Sequence, residues 1–117
     1  MSKNKMADTE VLMDSAYYIL MSLLEPRHGY LIMQYVQEIS DGEFVIGPAT
    51  LYTMIKKLLK EGWIELIDEL DRKKVYKITS EGKKMWLADV ERRKKMVEHA
   101  EIALHAVFST GGKADEE

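Results

Sequence analysis

The sequence predicts a mainly α-helical, α+β fold in which three short helices are followed by a β-hairpin and one long helix. Apolar residues recur at helical spacing in four segments, and alternating apolar and polar residues flank a polar turn. The last helical segment keeps apolar spacings of four and three residues, which is typical of a coiled coil. With 117 residues, 46% of them hydrophobic and 32% charged, the composition fits one globular domain and excludes a disordered chain or a large multidomain enzyme.

The first predicted helix covers Glu10–Leu24, and Thr9 is a suitable N-cap for it. Its apolar stripe consists of Leu12, Ala16, Ile19, Leu20 and Leu23. A second helix is expected over Gly29–Ile39, because apolar residues share one face and a Ser-Asp-Gly stop follows. That buried stripe is formed by Ile32, Val36 and Ile39.

The third helix is predicted at Pro48–Glu61, since proline suits the first helical position and Gly62 suits the position after the end. Its inward residues are Leu51, Ile55 and Leu58, with Met54 and Leu59 alongside them. A hairpin follows, with strands at Trp63–Ile67 and Lys74–Thr79 and a polar turn at 68–73. We therefore expect one folded unit over residues 10–79, preceded by a flexible segment at 1–9.

The last predicted helix runs from Ser80 to Phe108 and precedes a flexible tail at 109–117. Its apolar seam, interrupted only by Arg93, consists of Trp86, Val90, Val97, Ala100, Leu104 and Val107. At ~1.5 Å per residue this helix is roughly 40 Å long, so the preceding elements are too small to cover it. Leaving the distal seam in water costs ~25 cal/mol per Å² of apolar surface, which favours pairing with a second copy of the chain.

Composition and spacing also exclude several classes of protein. The chain has no cysteine, which excludes disulfides and thiolate metal sites. Glu101 and His105 lie four residues apart on one helix face, but no His-Glu-x-x-His pattern accompanies them. We find no nucleophile beside a base, no phosphate-cradling glycine loop and no carboxylate pair, so we expect neither an enzyme nor a metal or other cofactor.

The localisation expectation follows from hydropathy. The longest apolar run, Ala16–Met21, is far short of the roughly 20 residues that a membrane-spanning helix needs. The polar N-terminus carries no secretory signal. We therefore expect a cytoplasmic protein without membrane partners.

The order of three helices, a hairpin and a helix is typical of a winged helix-turn-helix, in which the third helix enters the major groove of DNA. The exposed face of the predicted third helix carries Ala49, Thr50, Tyr52, Thr53, Lys56, Lys57 and Lys60. The hairpin supplies the cations Arg72, Lys73, Lys74 and Lys77. Because the net charge is −3 and the flanking Asp68, Glu69 and Asp71 weaken the local field, we expect modest, salt-sensitive binding.

Four motifs carry a resemblance to a known family: His28-Gly29-Tyr30, the run from Gly47 to Tyr52, the run from Leu58 to Ile64, and the run from Arg72 to Gly82. Together they cover most of residues 10–108 and resemble the PadR family of bacterial transcriptional repressors. The single C-terminal helix is similar to that of the small subclass that includes multidrug-sensing repressors.

The resemblance implies a homodimer that binds an inverted-repeat operator in double-stranded DNA. It implies DNA contacts by the second and third helices and the hairpin, at Tyr30, Thr50, Tyr52, Thr53, Lys56, Lys57, Arg72, Lys73 and Lys74. It also implies a dimer interface between the first and last helices, at Leu12, Trp86, Val90, Val97, Ala100, Leu104 and Val107.

In the small subclass, flat aromatic drugs bind between the protomers, and the resemblance implies a small-molecule effector at the same place. Multidrug-sensing members present a tryptophan there, whereas this sequence has Arg92, with Trp86 nearly two turns earlier. An arginine favours an anionic or polar effector, or none. The candidate pocket comprises Tyr17, Tyr18, Met21, Asp89, Arg92 and Met96.

Two other interpretations stay open from the residues alone. The net acidity is compatible with a winged-helix module that binds a protein instead of DNA. The second interpretation is a small-molecule sensor that does not bind DNA. The salt dependence of DNA affinity separates both from a DNA-binding repressor, because only phosphate contacts weaken steeply as salt rises.

Overall fold

The structure, a computed structural model, describes residues 12–109. Within these residues four helices and three strands follow one another: α1 at Asp14–Ser22, β1 at Arg27–His28, α2 at Gly29–Ile39, α3 at Pro48–Glu61, β2 at Ile64–Leu70, β3 at Lys73–Ile78 and α4 at Ser80–Ser109. The predicted mainly α-helical fold and its order of elements are confirmed. The predicted flexible ends, with Thr9 and Glu10, lie outside the described residues, apart from Ser109, which ends α4.

One apolar core joins the first three helices to the hairpin. Its fully buried members on α1 are Ile19 and Leu20, with Leu23 just beyond the helix end. Ile32 and Val36 enter the core from α2, Leu51 and Ile55 from α3, and Ile64, Tyr76 and Ile78 from the sheet. The predicted inward residues of α3 are buried, as is Met54, whereas Leu59 beside them is 38% exposed. Ile39, however, is 53% exposed, because it occupies the last position of α2, where the chain turns away.

The first helix is shorter than its apolar periodicity predicts. It begins at Asp14 instead of Glu10 and ends at Ser22 instead of Leu24, and Met13 has extended backbone angles. The backbone N–H of Leu12 donates to Asp89 Oδ1 at 3.3 Å, and the carbonyl of Leu12 accepts from Arg93 Nη2 at 3.0 Å. These two bonds to α4 take up backbone groups of Leu12 that a helical turn would otherwise use.

The sheet has three antiparallel strands in the order β1-β3-β2, so the short β1 adds an edge that the sequence did not predict. The hairpin strands are also displaced from the predicted ranges, running over 64–70 and 73–78. Pairing continues through Asp68↔Val75, Glu69↔Lys74 and Leu70↔Lys73, with a register shift between Leu66 and Asp68. The predicted six-residue turn is therefore a two-residue turn at Asp71 and Arg72, both with positive φ.

The junction between the hairpin and α4 is held by two small residues. Thr79 Oγ1 donates to the carbonyl of Gly62 at 2.7 Å and accepts from the N–H of Gly82 at 3.0 Å, which is the geometry of a helix N-cap. At Gly82 a Cβ would lie 2.0 Å from the backbone oxygen of Trp63. Only glycine allows α4 to start this close to the chain that follows α3.

The helix α4 is half covered and half bare. Its first half contacts α1 and β3. From residue 94 to residue 109 every side chain is exposed, and the molecule is correspondingly elongated, 63 × 37 × 22 Å. In the described part of the chain, these exposed residues cover about 24 Å of helix, at ~1.5 Å per residue.

Candidate nucleic-acid interface

The exposed face of α3 presents hydroxyl groups in its first turns and cations in its later turns. Thr50, Tyr52, Thr53, Lys56 and Lys57 are all exposed. Gly47 caps the helix start and Pro48 occupies the first turn, which leaves the N-terminal end of α3 open to solvent. This arrangement has the shape and chemistry that a helix needs to approach the major groove.

A cleft separates α3 from the hairpin Ile64–Ile78, which we call the wing. The cleft has a volume of about 290 Å³. It is lined by residues of α2, α3, β1 and the wing, namely His28, Gly29, Tyr30, Tyr52, Arg72, Lys73, Lys74 and Tyr76. Five of the nine predicted DNA contacts thus line one cavity, called the α3–wing cleft below. The other four lie on the exposed face of α3.

Tyr52 is positioned by a glycine on the neighbouring helix. A Cβ at Gly29 would lie 2.5 Å from the Tyr52 hydroxyl oxygen, so the tyrosine ring packs directly on the backbone of α2. Tyr52 nevertheless stays 51% exposed. The close approach fixes the ring of a side chain that also faces solvent.

Tyr76 forms the floor of the α3–wing cleft, with 6% of its surface exposed. Burial raises the pKa of Tyr76 above its ordinary value, and the neighbouring Tyr52 and Glu69 raise it further. The phenol therefore keeps its proton at neutral pH and is available as a hydrogen-bond donor.

The wing carries its cations at and just after the tip. Arg72 is one of the two turn residues, and Lys73 and Lys74 begin β3. Among residues 12–109, none of these three cations forms a salt bridge within 4.0 Å. Their charges are therefore available to an external anion, although Glu69 stands opposite Lys74 in the ladder.

The predicted effector residues fall into separate environments instead of one cavity. Tyr18 stacks on Phe44, with ring centroids 4.7 Å apart, and Met21 lines a small depression at the end of α1. Tyr17 lies against Trp86, with ring centroids 6.1 Å apart. The sulfur of Met96 accepts a hydrogen bond from Arg92 at 2.9 Å on the exposed part of α4.

Asp89 is the most buried charged group in the described chain, and its side chain is 2% exposed. It accepts from Arg93 Nε at 2.6 Å and from Arg92 Nε at 2.9 Å, besides the Leu12 N–H. Burial by itself raises the pKa of Asp89, but hydrogen bonds from Arg93, Arg92 and the Leu12 backbone outweigh burial and lower the pKa. The carboxylate therefore holds the start of α1 to the middle of α4.

Arg93 explains the one polar interruption of the predicted seam. Its guanidinium bonds Asp89 and Asp14 and lies 3.9 Å from the centroid of the Tyr17 ring. Burial lowers the pKa of Arg93, while Asp89 and Asp14 raise it more, so the net pKa is above its ordinary value. Asp89 lies only four residues before Arg93, but the sequence carried no signal for the other two partners, Asp14 and Tyr17, which lie far away in the chain.

The predicted dimer-interface residues divide between the core and the bare half of α4. Leu12 is buried in the core of its own chain, and Trp86 and Val90 are half-buried. The distal residues Val97, Ala100, Leu104 and Val107 are exposed. The distal group therefore offers an apolar surface, whereas little of Leu12 is left for a second chain.

The described residues form neither a metal centre nor a membrane-spanning helix. No group of three or more histidine, aspartate or glutamate side chains within 12–109 is arranged to hold a metal ion. No helix in that range is both long and apolar enough to cross a bilayer.

His28 and Tyr76 line the α3–wing cleft but were not among the predicted DNA contacts, although His28 belongs to the first of the four motifs. His28 lies on a strand too short to leave a pattern, and Tyr76 reads as an ordinary inward residue of a strand. The place of both residues in the cleft becomes evident only from the tertiary fold.

A comparison with family models finds one match. Residues 18–87 match the transcriptional regulator PadR-like family, a span of more than half of the 117 residues. No significant match to a curated protein sequence was found.

Solved structures give a consistent likeness. A transcriptional regulator from Clostridium thermocellum, Cth-833, shares 30% identity over 84% of this chain and 92% of that chain, with a TM-score of 0.56. Bacillus subtilis PadR, in complex with operator DNA, shares 27% identity over 68% of this chain and 47% of that chain, with a TM-score of 0.58. A winged-helix DNA-binding protein from STIV shares the fold, with 23% identity, a TM-score of 0.62, and coverage of 74% of this chain and 95% of that chain.

Proposed function

This chain belongs to the PadR-like family of transcriptional regulators, and we propose that it is a repressor that binds an inverted-repeat operator in double-stranded DNA as a homodimer. The observation that carries the proposal is the α3–wing cleft. It brings together aromatic hydroxyls and three cations that have no ion pair within residues 12–109. Unpaired cations beside a helix of groove-reading geometry suit a duplex better than a protein surface.

The division of labour on this surface follows from chemistry. Thr50 and Thr53 stand near the start of α3, where short hydroxyl side chains reach base edges. The cations of the wing, Arg72, Lys73 and Lys74, meet phosphates, which position the protein without reading sequence. Lys56 and Lys57, later on α3, add phosphate contacts along the groove.

The homodimer is supported by the bare half of α4. Its exposed apolar residues Val97 and Leu104 keep the three- and four-residue spacing of a helix seam, and Leu104 is 56% exposed. A second copy presents the same seam, so two chains bury one another's surface without any further partner. Pairing also places two copies of α3 on the duplex, which is what a two-fold-symmetric operator requires.

An effector that relieves repression would bind between the two copies, near α1 and the middle of α4. Support comes from the Trp86 indole N–H, which is buried and has no hydrogen-bond acceptor among the described residues. Arg92, nearly two turns further along α4, is partly exposed, so an anionic group with an aromatic ring suits this region. Tyr17 supplies a stacking surface against Trp86.

The test is DNA binding by a variant with a less charged wing. Lys73→Ala with Lys74→Ala should weaken binding to all duplexes about tenfold or more at moderate salt, and lower the salt slope by about 0.9 for each phosphate that is no longer neutralised. Fluorescence anisotropy with a labelled duplex from upstream of the gene measures both quantities.

The matched control removes two lysines from the bare half of α4. Lys94→Ala with Lys95→Ala changes the net charge by the same amount, at positions outside the α3–wing cleft. This control should keep the wild-type affinity and slope. Equal weakening in the two double variants, or unchanged binding in the wing variant, would show that the wing does not bind DNA.

A further inference from the structure

Gly29 belongs to the first of the four sequence motifs, but a glycine has no side chain with which to contact DNA or fill the core. It is the first residue of α2 and is buried. Its backbone does not require glycine, because among the described residues only Gly42 and Gly62 are glycines with positive φ. Alanine also forms helices more readily than glycine. The reason for a glycine at this position is therefore the space around it and not its conformation.

The space that a side chain at position 29 would need is occupied by the ring of Tyr52. A Cβ at Gly29 would lie 2.5 Å from Tyr52 Oη, 3.1 Å from Cζ and 3.2 Å from Cε1. Carbon atoms in favourable contact lie about 3.5 to 4.0 Å apart. The tyrosine therefore leaves no room for even a methyl group on the first residue of α2.

The group that obstructs a side chain at position 29 can move, whereas the one at position 82 cannot. At Gly82 the obstructing atom is the backbone oxygen of Trp63, which cannot leave unless the chain itself moves. At Gly29 the obstructing atom is the end of a side chain that is 51% exposed. A methyl group at position 29 would therefore turn the Tyr52 ring away from α2 and leave the rest of the fold in place.

A ring that turns away from α2 would enter the α3–wing cleft or the solvent in front of it, because Tyr52 lines that cleft. The cleft has a volume of about 290 Å³ and Tyr76 also lines it. Burial and then the nearby Tyr52 raise the pKa of Tyr76, so the two phenols are close neighbours. Thr53, the next residue of α3, is exposed. The displaced ring would thus project from the surface that the proposed function places against the duplex.

We propose that Gly29 is a positioning residue for DNA recognition: its missing side chain lets Tyr52 lie back against α2, and that position of the ring allows α3 to enter the major groove. The inference rests on the proposed function, because the duplex is what a displaced ring would obstruct. Two separate sequence motifs thereby act as one unit, since Gly29 belongs to the first motif and Tyr52 to the second. Gly29 acts through the ring of Tyr52 and not through a DNA contact of its own.

The experiment measures both DNA affinity and thermal stability for Gly29→Ala. Its affinity for a labelled duplex from upstream of the gene should fall about tenfold or more, comparable to the loss of one good contact with a base pair. Its melting temperature should equal or exceed the wild-type value, because only the end of an exposed side chain has to move and alanine favours the helix. Fluorescence anisotropy and scanning calorimetry give the two quantities.

Removal of the Tyr52 hydroxyl should relieve the effect of the alanine. In Tyr52→Phe the atom at 2.5 Å is absent, and a small shift of the ring clears the two carbons that remain. Gly29→Ala should therefore weaken binding about tenfold in the wild-type background but less than about twofold relative to Tyr52→Phe alone, a coupling that a double-mutant cycle measures. Gln37→Ala is the control on α2, because Gln37 is exposed and does not line the cleft, and it should keep the wild-type affinity.

The possible failures give different results. Wild-type affinity in Gly29→Ala, or an equal loss of affinity with and without the Tyr52 hydroxyl, overturns this inference and leaves the proposed function intact. A Gly29→Ala variant that is markedly less stable than wild type would show that Gly29 serves the fold, which also overturns the inference alone. Absence of duplex binding by the wild-type chain overturns the proposed function, and this inference with it.

Discussion

Asp89 is a buried carboxylate whose role is structural, because it accepts from the Leu12 N–H just before α1 and from Arg92 and Arg93 on α4 itself. Substitution Asp89→Asn keeps the shape but leaves Arg93 without its closest anion. We expect a decrease of about 2 to 4 kcal/mol in the free energy of unfolding at neutral pH, the cost of breaking a buried charge pair. Urea unfolding at fixed protein concentration measures it.

The same variant carries a pH signature. Because the pKa of Asp89 is lowered in the folded protein, its stabilising contribution is present above the ordinary unfolded-state value of about 3.9 and is lost as pH falls through the folded-state value. The difference in the free energy of unfolding between wild type and Asp89→Asn should therefore become smaller in strong acid. Glu91→Gln is the control, since Glu91 is exposed and reaches only Lys94 at 3.6 Å, and should change stability by less than about 1 kcal/mol. If this difference in the free energy of unfolding stays the same at all pH values, the ionised Asp89 carboxylate does not stabilise the fold.

Some single residues could be read from the sequence because their constraint is local. Gly62 was predicted just beyond the end of α3, and it has φ of 78° there. Thr79, the last residue of the predicted second strand, caps α4. Arg93 and Tyr76 could not be interpreted fully in this way, because Asp14 beside Arg93 and Tyr52 beside Tyr76 lie on elements that only the tertiary fold brings together.

The wing hairpin shows what strand patterns can and cannot predict. Alternation identified both strands, but residues 68–70 and 73 were assigned to the turn, whereas they continue the ladder. The strand β1 is two residues long and leaves no periodic signal at all. Helix positions were more predictable, since three-turn apolar stripes with glycine and proline boundaries define α2 and α3.

Arg72 affects both the stability of the hairpin, through its backbone conformation, and the charge of the α3–wing cleft, through its side chain. Its φ of 67° places an L-residue in the left-handed region, which a two-residue turn of this kind fills most easily with glycine. Arg72→Gly should therefore raise the free energy of unfolding by about 0.5 to 1 kcal/mol. The same change should weaken DNA binding, because it removes a cation from the α3–wing cleft.

The Arg72→Gly variant is expected to gain stability and to lose DNA affinity, and these opposite changes test the prediction. Thermal unfolding and DNA titration of the same preparation give both quantities. Lower stability with unchanged DNA affinity would show that Arg72 serves the fold and not the duplex.

The proposed pairing of two chains depends on the bare half of α4. Leu104→Glu places a charge on the apolar seam and should weaken self-association at least about 100-fold, since two leucine side chains forgo about 1.5 to 3 kcal/mol of burial each. Lys95→Glu is the control, because residue 95 lies nine positions away and therefore on the opposite face of the helix. Sedimentation velocity over a concentration series measures the dissociation constants. Equal dissociation by both variants would show that the seam is not the interface.

The length of the last helix predicts a second copy, and the exposed residues 94–109 are compatible with this proposal. The place of an effector was not predictable in the same way. Its candidate residues are distributed over α1 and α4 and converge only if two chains meet. Sequence patterns describe one chain, so a site built from two has no spacing of its own.

The composition of the protein–DNA complex tests the central claim most directly. Sedimentation of the chain with a fluorescent operator duplex at micromolar concentration gives the number of chains on each DNA molecule. The structure predicts two chains per duplex, with both released together as salt rises. A complex of one chain per duplex, or no complex in dilute salt, would contradict the claim that paired α4 helices present two α3–wing surfaces to DNA.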